Sequence, residues 1–171
     1  TRDLDLDVIE MRDGHVQVAG PSREVQVAPA LPTERYDPAE PGFAEKWTIT
    51  AGEWECKGEY AASKGNVFRC ERQLLTAHPV IELNLLGRAP VYGVTLGGVV
   101  LEFSAAENEL LLRTEKGGTL FRRALPDSYV HHALHRLILR CLGDTLQIEL
   151  DHQKAVNVKM PPESPLILGL F

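Results

Sequence analysis

The chain has 171 residues, of which 44% are hydrophobic and 25% are charged, an ordinary composition for one globular domain with a core of its own. The formal net charge is -6 and Lys and Arg form no run, so a nucleic-acid partner is not expected. The apolar stretches are far shorter than the roughly 20 residues of a membrane-spanning helix, so no membrane span is expected.

The first segment of the chain is predicted to be a hairpin. Apolar residues alternate with aspartates from Asp3 to Val8, Asp13-Gly14 is a favoured turn dipeptide, and a second alternation covers 15–18. Apolar alternation on both sides of such a turn is typical of two antiparallel strands.

A proline-rich stretch follows the hairpin. After a further predicted strand at 24–28, four prolines fall between Pro29 and Gly42, and proline lacks a donor for a sheet ladder. We therefore expect residues 1–33 to be N-terminal strands and a strap that pack on a main domain at 34–171.

The main domain shows short alternating runs with turn residues between them, which predict an all-β, antiparallel β-sandwich of the jelly-roll type with about 12 strands. The predicted strands lie at 47–50, 53–60, 66–75, 80–86, 91–96, 98–103, 109–114, 119–123, 136–142, 145–151, 155–160 and 165–171. The inward faces are predicted to be Val99, Leu101 and Phe103; Leu137, Leu139 and Cys141; Leu146, Ile148 and Leu150; and Val156, Val158 and Met160. The one helical candidate is a short segment at 128–134.

The early strands 53–60 and 66–72 are predicted to pair around a turn at 61–65. One register sets Cys56 directly opposite Cys70. Opposed cysteines can come within disulfide range, although antiparallel neighbours often remain reduced.

The same register sets Glu55 opposite Glu71, near the ~5 Å carboxyl spacing of retaining glycosidases. Lys57 and Arg69 would then lie diagonally beside the two carboxylates. A solvated lattice of ion pairs is therefore the favoured interpretation of this pair.

Several segments together resemble the concanavalin A-like (laminin-G-like) sandwich superfamily, and are also similar to the jelly rolls described as 3-keto-disaccharide hydrolases. They are Phe43-Ala44-Glu45-Lys46-Trp47, Gly52-Glu53-Trp54, Gly65-Asn66-Val67-Phe68-Arg69, His135-Arg136-Leu137-Ile138-Leu139-Arg140, and the run from Gly143-Asp144 to Asp151. The sequence departs from the family pattern at Leu134, where a tryptophan is usual, and at 151–154, where a "D-G-x" turn is common. The resemblance implies a sandwich that binds or processes sugars.

Glycosidases of this superfamily carry paired glutamates on one strand as "E-x-D-x-E". The strand 80–87 can be laid against that motif, but Val80 and Asn84 then occupy the glutamate positions, so this strand cannot perform double displacement. Glu82 and Asn84 still share a polar face suited to sugar hydroxyls. The alternative is an ordinary solvated outer face.

Other chemistry-bearing residues are sparse. His131, His132 and His135 form the densest titratable cluster, yet without a zinc motif they are predicted to be loop histidines, and no metal or cofactor is expected. Among the aromatic residues, Trp54 is predicted to pack in the core, whereas Tyr92 and Trp47 are predicted to be stacking platforms for a sugar ring.

These observations favour a non-catalytic carbohydrate-binding or interaction module of a larger exported bacterial protein, periplasmic or secreted. A glycan or polysaccharide and a neighbouring domain are the expected partners. The predicted carbohydrate-binding residues are Glu82, Asn84, Arg69, Glu71 and Tyr92.

Two alternatives stay open. One is a glycoside hydrolase or lyase of the 3-keto-disaccharide type, with Glu55, Glu71 and Glu82 as candidate catalytic carboxylates. The other is a purely structural accessory domain that packs on its neighbour.

Overall fold

A computed structural model describes residues 9–12, 15–18, 38–39, 42, 44–57, 60–160 and 166–171. The chain divides into two compact units, Thr1–Arg35 and Tyr36–Phe171. The predicted strand at 24–28, the Asp13-Gly14 turn and most of the proline-rich strap lie outside the described residues. The packing of residues 1–33 on the main domain stays a prediction.

The first unit contains the predicted hairpin. Strand β1 (Ile9–Arg12) pairs antiparallel with β2 (His15–Val18), and Arg12 lies opposite His15. Two residues connect the strands, as the turn dipeptide at 13–14 predicts.

The second unit has a short 3-10 helix, Ala44–Lys46, followed by eleven strands among its described residues. They are β3 (Thr48–Lys57), β4 (Tyr60–Gln73), β5 (Val80–Leu85), β6 (Val91–Leu96), β7 (Val99–Ser104), β8 (Glu109–Thr114), β9 (Thr119–Ala124), β10 (His135–Leu142), β11 (Thr145–Leu150), β12 (Gln153–Lys159) and β13 (Ile167–Leu170). The predicted strands 47–50 and 53–60 are a single bulged strand, β3, which accounts for the lower count.

These strands form two antiparallel sheets, and the predicted all-β sandwich is confirmed. The seven-stranded sheet has the order β3-β4-β13-β6-β7-β8-β9, and the four-stranded sheet has the order β12-β11-β10-β5. Short hairpins connect β6 to β9 in sequence, whereas β5 and β13 join their sheets through partners distant in the chain.

The core lies between the sheets and includes the predicted inward faces, of which Leu150, Val156 and Met160 are only partly buried. Strand β7 buries Val99, Leu101 and Phe103 at 2% exposure or less, and the inward residues of β10 and β11 pack against them. Removing these apolar side chains from water is the main stabilising contribution to such a sandwich.

The predicted register of the β3–β4 hairpin is wrong. Lys57, the last residue of β3, pairs with Tyr60, so Cys56 pairs with Ala61 and Glu55 pairs with Ala62. The small residues at 61–65 continue strand β4 rather than turn. The register also shifts near Gly52, which has a φ of +70°. A bulge with glycine in this region is a common way to insert an extra residue.

As a consequence, the cysteines do not face one another. Cys70 pairs with Ile49, and Cys56, Cys70 and Cys141 are all free thiols. Glu71 lies opposite Thr48, so the proposed dyad with Glu55 is not formed.

The predicted helix at 128–134 is also wrong. The segment makes two successive turns, closed by hydrogen bonds from Tyr129 N to Pro126 O and from Ala133 N to Val130 O. One or two helical turns are too short to repay their nucleation cost, and the side chains of this segment are instead held by the sandwich, as described below.

Candidate functional site

The predicted residues Glu82 and Asn84 lie on the outer face of the four-stranded sheet, where Arg136 of β10 is the ladder partner of Asn84. Arg136 donates from Nε and Nη2 to the two Glu82 oxygens, at 2.8 and 2.9 Å. A second pair joins Arg140 Nη1 to Glu149 Oε2 at 2.8 Å. Ion pairs thus occupy charged side chains on this face, for which an ordinary solvated outer face was the alternative to sugar binding.

The bidentate contact determines the chemistry of Glu82. Its hydrogen bonds with Arg136 are the main cause of a Glu82 pKa below its usual range. A general acid in glycoside hydrolysis needs the opposite shift. The arrangement therefore holds Glu82 as a structural carboxylate.

The other two predicted polar residues, Arg69 and Glu71, lie on the opposite side of the sandwich, in an open groove on the outer face of the seven-stranded sheet. We call it the β13 groove, with a volume of about 490 Å³ and a lining of Thr50, Ala51, Val67, Phe68, Arg69, Glu71 and Phe171. Strands β3 and β4 supply most of this lining, and the residue after β13 supplies the half-exposed Phe171 ring.

Glycine shapes this face of the sheet. A Cβ on Gly169 would lie 2.2 Å from Thr95 Oγ1 and 3.6 Å from Glu71 Cγ. A Cβ on Gly93 would lie 2.9 Å from Phe171 Cζ. Because neither position carries a side chain, the Phe171 ring lies close to the backbone and the surface beside Glu71 stays open.

The polar side chains of the β13 groove are available to a ligand. Among the described residues, neither the Arg69 guanidinium nor the Glu71 carboxylate has a hydrogen bond or ion pair. Arg69 is exposed and Glu71 is half-buried. The groove thus presents five N–H donors and a carboxylate acceptor next to an aromatic ring.

Tyr92 and Trp47, predicted to be exposed platforms, belong instead to the core. Their exposures are 8% and 9%. Tyr92 stacks on Phe103 with ring centroids 5.1 Å apart, and Trp47 meets Trp54 edge to face at 5.9 Å. The predicted core role of Trp54 agrees with this packing, whereas the two platform predictions are wrong.

Tyr92 belongs to a hydrogen-bond chain at one end of the sandwich. Its hydroxyl lies 3.4 Å from Tyr129 Oη and 3.1 Å from His131 Nδ1, and His131 Nε2 lies 3.2 Å from Asn108 Oδ1. The Asn108 amide nitrogen donates to Leu125 O, so its oxygen must accept. His131 therefore donates from Nε2 and accepts at Nδ1 as a neutral imidazole, and burial is the main cause of its lowered pKa.

The neighbouring His135 has oxygen acceptors at both ring nitrogens. Its Nδ1 lies 2.7 Å from Asp151 Oδ2 and its Nε2 lies 2.9 Å from Val130 O. Since Nε2 is occupied by a backbone carbonyl, His135 has no free nitrogen with which to activate a nucleophile.

The remaining catalytic candidate, Glu55, lies on β3 beside Lys57, with which it forms an ion pair. This hydrogen bond is the main cause of its lowered pKa. No group of three His, Cys, Asp or Glu that could hold a metal occurs within the part of the chain that the structure describes.

Sequence reasoning missed Thr50 and Phe171 as lining residues of the β13 groove. The alternation of apolar residues placed each on a strand or at its end. The alternation pattern contained no signal that β13 inserts between β4 and β6. This insertion brings Phe171 near Arg69.

Comparison with solved structures identifies proteins of similar architecture. The carbohydrate binding module CBM66 from Bacillus subtilis superposes with a TM-score of 0.57 at 12% identity, over 72% of this chain and 86% of that one. The Crh5 transglycosylase in complex with NAG gives 0.51 at 14% identity, over 78% and 65%. The likeness shows the fold alone, a β-sandwich.

Sheep galectin-11, in complex with glycerol, gives a TM-score of 0.42 at 14% identity, over 63% of this chain and 91% of that one. No family model and no curated protein matches the sequence. Within the described residues, no helix has the length and apolar character needed to cross a membrane.

Proposed function

We propose that this chain is a carbohydrate-binding module and that the β13 groove is its glycan site. The observation that carries the proposal is that a guanidinium and a carboxylate without partners among the described residues, Arg69 and Glu71, lie with the half-exposed Phe171 in one open groove. Sugar hydroxyls need donors and acceptors together, and an apolar ring face needs an aromatic partner.

The contrast with the four-stranded sheet supports this choice. On that face, Glu82 already accepts two hydrogen bonds from Arg136, and a ligand would have to break a bidentate ion pair to reach it. In the groove, a ligand that binds Arg69 and Glu71 has to displace only water from these two side chains. Of the predicted carbohydrate-binding residues, the proposed site therefore keeps Arg69 and Glu71 and leaves out Glu82 and Asn84.

The size of the groove suits a short oligosaccharide rather than a buried cofactor. Its volume of about 490 Å³ falls within the roughly 300–1,000 Å³ of small-molecule sites. Its lining residues Thr50, Val67 and Arg69 are exposed, so a longer glycan chain could enter and leave without a change in the fold. The fold likeness to CBM66 is consistent with this use.

A glycan array tests the proposal with three proteins: the wild type, an Arg69→Ala, Glu71→Ala double variant, and a Glu82→Ala, Asn84→Ala double variant as the matched control. Each double variant removes two polar side chains from one sheet face. A hydrogen bond to a charged group contributes about 1.5–3 kcal/mol, so we expect the groove variant to bind at least roughly tenfold more weakly, and the control to bind like the wild type.

Circular dichroism and thermal melting establish that both variants keep the fold. Absence of wild-type binding to every glycan on the array would overturn the proposed function. Loss of binding in the Glu82, Asn84 variant alone would return the site to the four-stranded sheet.

The structure gives less support to a glycosidase. Retaining enzymes need two carboxylates roughly 5 Å apart, and the register separates Glu55 from Glu71. That the module belongs to a larger exported bacterial protein, with a neighbouring domain as a partner, stays a prediction.

A further inference from the structure

A second cavity lies between the two sheets, at the side of the sandwich where β9 and β12 are the outermost strands. We call it the edge pocket, and its volume is about 210 Å³. Leu110, Leu125 and Leu150 form its apolar lining, and Arg123, Ser128 and Gln153 lie at its polar side. It is smaller than the roughly 300–1,000 Å³ of drug-sized sites, which limits an occupant to about one ring.

Arg123 points toward this pocket because of its place in the ladder. It pairs with Leu110, a core residue that is 1% exposed, so both side chains lie on the inner face of the seven-stranded sheet. The adjacent Arg122 points outward and forms an ion pair with Glu109 at 3.3 Å. Arg123 has no ion pair or hydrogen bond with any described residue.

The carboxylate in the pocket does not neutralise Arg123. Asp151 accepts from Arg136 N at Oδ1, at 2.9 Å, and its Oδ2 lies 2.7 Å from His135 Nδ1. Both oxygens of Asp151 are therefore engaged by residues other than Arg123. Among the described residues, the guanidinium of Arg123 lines the pocket without a carboxylate partner.

Ser128 and Gln153 complete a set of groups that could hold hydroxyls. Within the described chain, the side chains of both residues lack hydrogen bonds and both are exposed. A hydroxyl and an amide supply both donors and acceptors. Together with the apolar floor, they suit a ring that carries hydroxyls on one side and C–H groups on the other.

We propose that the edge pocket binds a single carboxylate-bearing sugar ring, with its carboxylate on Arg123 and its hydroxyls on Ser128 and Gln153. A planar guanidinium holds a carboxylate through two parallel hydrogen bonds, which a neutral sugar cannot reproduce. This site is separate from the β13 groove, and it does not depend on glycan binding there.

The test is a titration of the ¹⁵N-labelled protein with D-glucuronate, followed by amide chemical shifts, with D-glucose as the neutral match. Arg123→Gln is the test variant and Arg122→Gln is its control. The two substitutions remove the same charge from adjacent positions of β9, one facing the pocket and the other facing solvent.

We expect glucuronate to shift amides at 123–129 and 150–155, and glucose to leave them unchanged at the same concentration. Arg123→Gln should weaken glucuronate binding at least roughly tenfold, whereas Arg122→Gln should leave it within about twofold, as for a surface ion pair. The Arg69→Ala, Glu71→Ala variant should bind glucuronate like the wild type.

Three results would overturn the proposal. One is the absence of shifts in these segments, in which case Arg123 serves only to keep the β9 edge from pairing with other strands. Another is equal shifts with glucose. The third is an equal loss in both arginine variants, which would indicate unspecific attraction to positive charge. None of these results would bear on binding in the β13 groove.

Discussion

The Nδ1 atom of His135 lies 2.7 Å from Oδ2 of Asp151, and this contact joins the first residue of β10 to the turn between β11 and β12. Asp151 also accepts from Arg136 N, so one carboxylate holds two consecutive residues of β10. Asp151 and the next residue, His152, have φ of +49° and +66°, a conformation that non-glycine residues rarely adopt. The two contacts of Asp151 with β10 stabilise this turn.

Replacing Asp151 with Ala should destabilise the protein. The variant loses two hydrogen bonds to the carboxylate, and it places Ala at a positive φ. We expect the free energy of unfolding to fall by about 2–4 kcal/mol. Asp151→Asn tolerates the left-handed conformation and retains an acceptor, so it should lose less. Urea denaturation measures both, and a loss below about 0.5 kcal/mol in Asp151→Ala would contradict a stabilising role of the Asp151 carboxylate.

His131 should make stability depend on pH. Burial holds its pKa below the usual value, which is about 6.5 in an unfolded chain. The unfolded chain therefore takes up the proton more readily, so the contribution of His131 is complete above about pH 6.5 and is lost as the pH falls toward the folded pKa.

A Gln at position 131 can accept from Tyr92 and donate to Asn108 without titrating. Denaturation curves measured between pH 5 and pH 7.5 should show the decline in the wild type and a smaller decline in His131→Gln. The same pH dependence in both proteins would rule out His131 as its source.

Gly169 and Thr95 should be energetically coupled. A Cβ on Gly169 meets Thr95 Oγ1 at 2.2 Å, so Gly169→Ala should lower the free energy of unfolding by about 1–3 kcal/mol. Removing the hydroxyl with Thr95→Ala removes the clash, and the double variant should recover part of that loss. Gly93→Ala is the control, because its Cβ would meet the backbone oxygen of Leu101 at 2.0 Å and no side-chain change can relieve it. Strict additivity of the Gly169 and Thr95 substitutions would contradict the coupling.

The three cysteines should differ sharply in reactivity. Cys56 is exposed, whereas burial raises the pKa of the Cys70 thiol to about 12 and raises that of Cys141. Because the thiolate is the reactive form, iodoacetamide should label Cys56 in the native protein, and Cys70 and Cys141 only after denaturation. Mass spectrometry of the intact and digested protein identifies the labelled sites. A disulfide between Cys56 and Cys70 would contradict the β3–β4 register.

The strands after Val80 were predictable because the apolar alternation within each strand and the turn residues between strands indicate the same structure. Alternation gives the faces of β7, β10 and β11, and short loops such as Gly143-Asp144 allow only a neighbouring antiparallel partner. The β3–β4 register was not predictable in the same way. Both Gly58-Glu59 and the small residues at 61–65 could form a turn, and moving the turn changes every cross-strand pair.

The lining of the β13 groove was predicted only in part for a related reason. Alternation identifies Arg69, Glu71, Glu82 and Asn84 as outward-facing, but it does not say which sheet each strand joins. That choice depends on distant pairings, such as β5 with β10 and β13 with β4. The prediction therefore combined residues from opposite faces of the sandwich, and it added Tyr92 from the core between them.

Strand β4 is longer than its neighbour β13, and its two halves are held unequally. Cys70 and Glu71 pair on both sides, with β3 and β13, whereas residues 60–64 pair with β3 alone. A two-stranded ribbon of this kind is only marginally stable by itself. Amide hydrogens at 53–57 and 60–64 should exchange with solvent through local opening of the ribbon. Those of the central strands should exchange much more slowly, because their exchange requires global unfolding. The free energy of opening should therefore be lower for the ribbon than for the β13 groove, although strand β4 runs through both.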